Sequence, residues 1–128
     1  MPAITRLLMD DQPAPVSHYC HVVRSGNLIF VSGTVGMTAD GRIPDDTVAQ
    51  FDLALHNLDA CLKAVGAGPE HVVKVTVFLT DIDDRARINP ARQRYFKEHR
   101  PASTLVEVSA LVLPELTVEI EATAVLPD

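Results

Sequence analysis

Basic residues are scarce and scattered. The 128 residues carry 11 Lys and Arg against 17 Asp and Glu, a formal net charge of −6, with no lysine or arginine run. The electrostatic footprint of a nucleic-acid binder is missing, and attraction to an anionic membrane surface is not expected. No 18-residue apolar run is present, so no transmembrane helix is predicted. The opening "MPAITRLLMDDQ" lacks the basic start and long apolar centre of a secretory leader. There are only two cysteines, Cys20 and Cys61, and they form no CxxC pair, which reads as reduced thiols in a cytoplasmic protein. Glycines are single and scattered, so no phosphate-cradling loop and no cofactor are expected. In "HYCH", His18 and Cys20 would share a strand face while His21 points away, and no second ligand cluster exists, so no metal is expected either.

What is present suits one domain spanning residues 1–128, with 47% hydrophobic and 22% charged residues. "HYCHVVRSGNLIFVSG" reads as a hairpin, with strands near Tyr19–Arg24 and Leu28–Ser32 and a turn at Ser25-Gly26-Asn27. A short strand over Thr5–Met9 precedes it, and a second turn falls at Asp40-Gly41.

Val48, Phe51, Leu55, Leu58, Leu62 and Val65 form a sustained stripe, which predicts a long helix stopped by Gly66. Thr47 and Gln50 suggest a capping box at its start. Val72 to Leu79 is rich in β-branched residues and reads as a strand. "DIDDRARINPARQRYFKEHR" reads as two helical pieces, with Asn89 as cap and Pro90 at the first position of the second.

"STLVEVSALV" and "LTVEIEATAVL" are the last two strands. In the second, Leu116, Val118, Ile120, Ala122 and Ala124 alternate with Thr117, Glu119, Glu121 and Thr123. The order predicts an α+β fold, a mixed sheet with helices on one face. The other face, carrying Glu119 and Glu121 among apolar neighbours, suggests a subunit interface.

The pieces "SHY", "GNLIFVSGTVG", "ALHNLDACLKAVGAG", "VVKVTVFLTDIDD", "INPARQRYF", "RPAS", "LVEV" and "VEIEATAVL" occur in the order of the RidA/YjgF family of reactive-intermediate deaminases. The chain resembles that family over nearly its whole length. The resemblance implies a chorismate-mutase-like fold with a six-stranded sheet and two main helices. It also implies a homotrimer, and a cleft between subunits where a small metabolite is processed.

Carried over residue by residue, the family's water-activating glutamate falls on Glu119, with Tyr19 and Asn89 as cleft residues. Mutual repulsion with Glu121 should raise the pKa of one carboxyl toward neutrality, as acid–base work requires.

The departure is as informative as the match. Active deaminases of the family carry a carboxylate-clamping arginine immediately after "PA", where this chain has Ser103. A hydroxyl has neither the charge nor the fork of a guanidinium. The family's nearby cysteine is Leu105 here. An enzyme of this kind should therefore hydrolyse an enamine, imine or related C–N compound other than a simple 2-imino acid; the alternative is a metabolite-binding trimer without catalysis. Arg24 and Arg100 are candidates for a substitute cation. Arg85, Arg87, Arg92 and Arg94 read as a solvated helix face.

Overall fold

The computed structural model of the protein describes residues 3–127. The strands are β1 (Ile4–Leu7), β2 (Val22–Ser25), β3 (Leu28–Val35), β4 (Val72–Leu79), β5 (Ala102–Glu107) and β6 (Val118–Val125). The helices are α1 (Thr47–Ala64) and α2 (Arg85–Phe96), with short 3-10 turns at Pro69–His71 and Ile82–Asp84. One six-stranded sheet runs β1-β2-β3-β6-β4-β5, antiparallel except for the parallel β4–β5 pair at one edge. α1 packs on β3 and β6, and α2 packs beside α1. The α+β class, six-stranded mixed sheet and two-helix layer expected from the sequence are all present.

The core lies between α1 and the sheet. Phe51, Leu58 and Leu62 of α1 meet Ile29, Val75, Val77, Val118 and Ile120, all fully buried. α1 also buries Gln50 and Asn57, which is possible because both amides are spent on backbone. Gln50 donates to the carbonyls of Pro44 and Glu115, and its oxygen accepts from the Thr117 N–H, each at 2.9 Å. Asn57 donates to the carbonyls of Val35 and Met37 at 3.2 and 3.1 Å.

The end of α1 is as expected. Gly66 has φ +86°, and Ala67 N–H reaches back to the Leu62 carbonyl at 2.8 Å, a Schellman arrangement. Its start differs. Asp46, not Thr47, is the cap, accepting from the N–H groups of Val48 and Ala49 at 3.0 and 3.3 Å. The Thr47 hydroxyl is taken instead by Asp84 and Thr117, and the Gln50 side chain by the chain entering β6, so neither serves a capping box.

α2 is also unlike the expectation. It is continuous through Pro90, and Asn89 caps nothing. The carbonyl that proline leaves without a partner belongs to Ala86, an exposed residue of the first turn that water can serve. The break falls earlier, at the 3-10 turn Ile82–Asp84. The hairpin has its two-residue turn at Gly26-Asn27, with Gly26 at φ +61°. Its first strand starts only at Val22, so His18, Tyr19 and Cys20 lie in the approach to the strand rather than within it.

β6 shows the predicted alternation. Val118, Ile120, Ala122 and Ala124 are buried, while Glu119, Glu121 and Thr123 turn to the uncovered face. Leu28 (42% exposed) and Phe30 (45%) lie in register with Val125 and Thr123, so that face is partly apolar.

Candidate functional site

Glu119 pairs with Val35 on β3 and with Phe78 on β4, in the middle of the sheet. Two residues of β3, Ser32 and Gly33, fall within the register shift between Val31 and Thr34, opposite Glu121 on β6. Such a bulge bends a strand and re-aims side chains. Here it places the bare Cα of Gly33 against the Glu119 carboxylate, since a Cβ on residue 33 would fall on Glu119 Oε2. Burial pushes the Glu119 pKa up from the ordinary glutamate value, and the charge of Glu121 adds to the rise. The expected repulsion is present, but burial is the larger cause.

Beside Glu119 is a cavity of about 370 Å³. Tyr19, Gly33 and Glu119 line it, with Gln12 and Asn57 at its back and Val16 and Val112 supplying apolar wall. Its loop wall is fixed by His21. Nδ1 of that ring accepts from the Met9 N–H at 2.8 Å, which leaves Nε2 to donate to the Pro13 carbonyl, also at 2.8 Å. Gln12 then donates to the Asn57 carbonyl at 2.7 Å and touches Cys61 Sγ at 3.4 Å. Both ring nitrogens of His21 serve the backbone, and Cys61 is a buried core thiol whose pKa burial raises.

A second cavity, about 380 Å³, lies between α2 and the start of β5. Asn89, Arg100 and Ser103 line it, together with Arg92. Ser103 is in register with buried Val75, so its hydroxyl faces the helix layer and accepts from Arg92 Nη2 at 2.8 Å. Arg92 is therefore not the freely solvated side chain expected. Arg87 and Arg94 are ion-paired to α1, through Asp46 at 2.6 Å and Asp52 at 3.5 Å.

The predicted site residues thus fall into two groups within one chain. Glu119 and Tyr19 line the first cavity, Asn89 and Ser103 the second, and no lining residue is common to both. Leu105 lines neither; it is in register with Val77 and packs on the core. Arg24 is engaged elsewhere, donating to the carbonyls of Gly26 and Val65 at 2.9 and 3.0 Å. His18 is exposed, and Cys20 Sγ lies 3.6 Å from the Val22 carbonyl. Sequence reasoning missed Gly33, Gln12, Asn57 and Arg92. Of these, only Gly33 had a local signal, a glycine inside a strand pattern, which marks a bulge or a close approach.

A family model described as endoribonuclease L-PSP matches residues 9–126. A RutC family protein of Haemophilus influenzae is 38% identical over 118 residues, covering 88% of this chain and 90% of the relative. The 2-iminobutanoate/2-iminopropanoate deaminase of Escherichia coli is 36% identical over 120 residues, covering 91% and 93%. Among solved structures, Escherichia coli TdcF with bound serine superposes with a TM-score of 0.89 at 32% identity, covering 96% of this chain and 99% of that one.

Proposed function

This chain belongs to the Rid/YjgF family, the one whose model is described as endoribonuclease L-PSP, and on that premise we propose that it hydrolyses a small imine, enamine or related C–N compound. Water adds to the imine carbon while Glu119 takes its proton. Glu119 returns that proton to the nitrogen, giving a carbinolamine. The carbinolamine hydroxyl proton then passes through the same carboxylate to the amine as the C–N bond breaks, releasing ammonia and a carbonyl compound. An enamine joins this sequence once its nitrogen has lost a proton and its β-carbon has gained one. Tyr19 orients the substrate beside Glu119. Asn89, Ser103 and the backbone of edge strand β5 near Leu105 hold its far end. Because Ser103 stands where the deaminases this chain resembles have arginine, its substrate choice differs from theirs.

One observation carries the reading: a partly buried glutamate, its pKa raised, set against a bulge in the wall of a cavity of metabolite size. The relative solved with bound serine supports a small-molecule ligand. The active form is a homotrimer whose uncovered sheet faces meet. The Glu119 half-site of one copy completes the Ser103 half-site of its neighbour. The half-apolar outer face and the division of the candidate residues into two cavities favour that arrangement.

The decisive assay follows ammonia release from freshly generated 2-aminoacrylate and from a panel of related imines. Glu119→Gln should lower the rate by about 10²-fold or more. Equal rates in the two proteins would remove Glu119 from the chemistry. A light-scattering mass of a lone monomer would remove the shared site. Retention of bound metabolite without turnover on any imine would favour the alternative, a binding trimer that has lost catalysis, which the Ser103 difference motivates.

A further inference from the structure

The cavity between α2 and β5 is lined by three cations, Arg92, Lys97 and Arg100, and by no Asp or Glu. Asn89 and Gln93 add amides, and Phe96 gives it an apolar floor. None of the three cations is in an ion pair among the described residues, whereas Arg87 and Arg94 on the same helix are both paired. Arg92 is the partly buried one, and burial draws its pKa down from the ordinary arginine value with no carboxylate to offset it. Its one side-chain hydrogen bond is to Ser103 Oγ, which leaves most of a five-donor fork unspent. At the rim, Lys97 ends α2 at φ +54° and ψ −129°, a strained backbone for a residue with a Cβ.

A half-buried, unpaired guanidinium held by a neutral seat is arranged to receive an anion, and its planar fork suits a carboxylate. We propose that Arg92, seated on Ser103, binds the carboxylate of the substrate in this cavity. The serine then does more than mark a missing clamp: it positions a guanidinium that arrives from α2 instead of from β5. The substrate carboxylate is then approached from the helix side of β5, at a position set by α2. The assignment rests on the hydrolase reading for what the carboxylate is attached to, but not for the anion site itself.

The test is therefore a binding one, with pyruvate as an unreactive carboxylate probe. Calorimetric titrations would use wild type, Glu119→Gln, Arg92→Gln, Arg92→Lys and Ser103→Ala, with folding checked by thermal melting. Wild type and Glu119→Gln should bind pyruvate alike, even where Glu119→Gln has lost turnover. Arg92→Gln should bind it about tenfold or more weakly. Ser103→Ala, which leaves the charge but removes its seat, should weaken binding by a smaller factor, and Arg92→Lys should restore only part of the loss. Unchanged affinity in both Arg92→Gln and Ser103→Ala would overturn the proposal. So would binding of inorganic phosphate but not pyruvate, or no binding of pyruvate by wild type.

Discussion

Two glycines of β3 and the turn after it stand three positions apart and make opposite demands. A methyl group on Gly33 would land on the Glu119 carboxylate, with the carboxyl carbon only 2.9 Å away and Cγ at 3.5 Å. Carbon atoms sit comfortably at about 3.5–4.0 Å, so the carboxyl carbon must retreat by roughly 0.6–1 Å. The group that moves is the end of a flexible side chain, and an off-rotamer adjustment costs about 0.5–1.5 kcal/mol. Replacing glycine within a strand returns about 0.5–1 kcal/mol of backbone entropy. Gly33→Ala should therefore leave stability within about 1 kcal/mol of wild type. The chemistry is less forgiving, since displacing a reacting group by about 1 Å lowers rates by about 10²-fold. A Cβ on Gly36, by contrast, meets backbone atoms of Gln50, with Cα at 2.6 Å and the carbonyl carbon at 2.7 Å. Neither can yield without moving α1, so Gly36→Ala should lose several kcal/mol, as about 1–3 kcal/mol or more is usual for overpacking. Urea unfolding and ammonia release, measured on both variants, separate the two effects. Full activity in a folded Gly33→Ala protein would refute the claim that the carboxylate acts where it stands.

If Glu119 is the base proposed above it must be ionised to accept a proton, and since its pKa is raised the acidic limb of kcat/KM should lie above the ordinary glutamate range. Glu121→Gln should move that limb to lower pH without returning it to the ordinary value, since burial is the larger cause; an unmoved limb would dismiss the coupling. A raised carboxyl pKa means the folded chain holds this proton more tightly than the unfolded one. The stability Glu119 contributes therefore falls as pH climbs from the ordinary value through the raised one, and Glu119→Gln should gain on wild type at neutral pH relative to acid pH in paired melts. Gln50→Leu strands the Thr117 N–H and the Pro44 and Glu115 carbonyls in or near the core. It should lose about 3 kcal/mol or more in urea unfolding, and a loss below about 1 kcal/mol would show that water or relaxation replaces those contacts.

Features with a local period were legible in the sequence. The alternation of β6 and the stripe of α1 needed only neighbours two, three and four residues away, and Gly66 needed only its own backbone freedom. Features set by partners distant in sequence were not. Thr47 has the chemistry of a cap, but Asp84 and Thr117 claim its hydroxyl, so the cap passes to Asp46. Arg92 belongs to a helix face that reads as solvated, and only the folding of β5 alongside puts Ser103 beneath it. The first cavity depends on Gln12 reaching a carbonyl 45 residues away, which no spacing rule contains. Glu119 is singled out as a candidate by resemblance alone, and its placement against Gly33 comes from a bulge that shifts the register of β3.

Arg24 carries a consequence for how the molecule opens. Its guanidinium joins the hairpin turn to the carbonyl of Val65, the residue that caps the end of α1, across 41 residues of chain. The hairpin therefore cannot peel from the sheet without leaving the end of the long helix short of a partner, and the helix cannot fray there without loosening the hairpin. One side chain thereby couples the opening of two regions that lie far apart in the sequence.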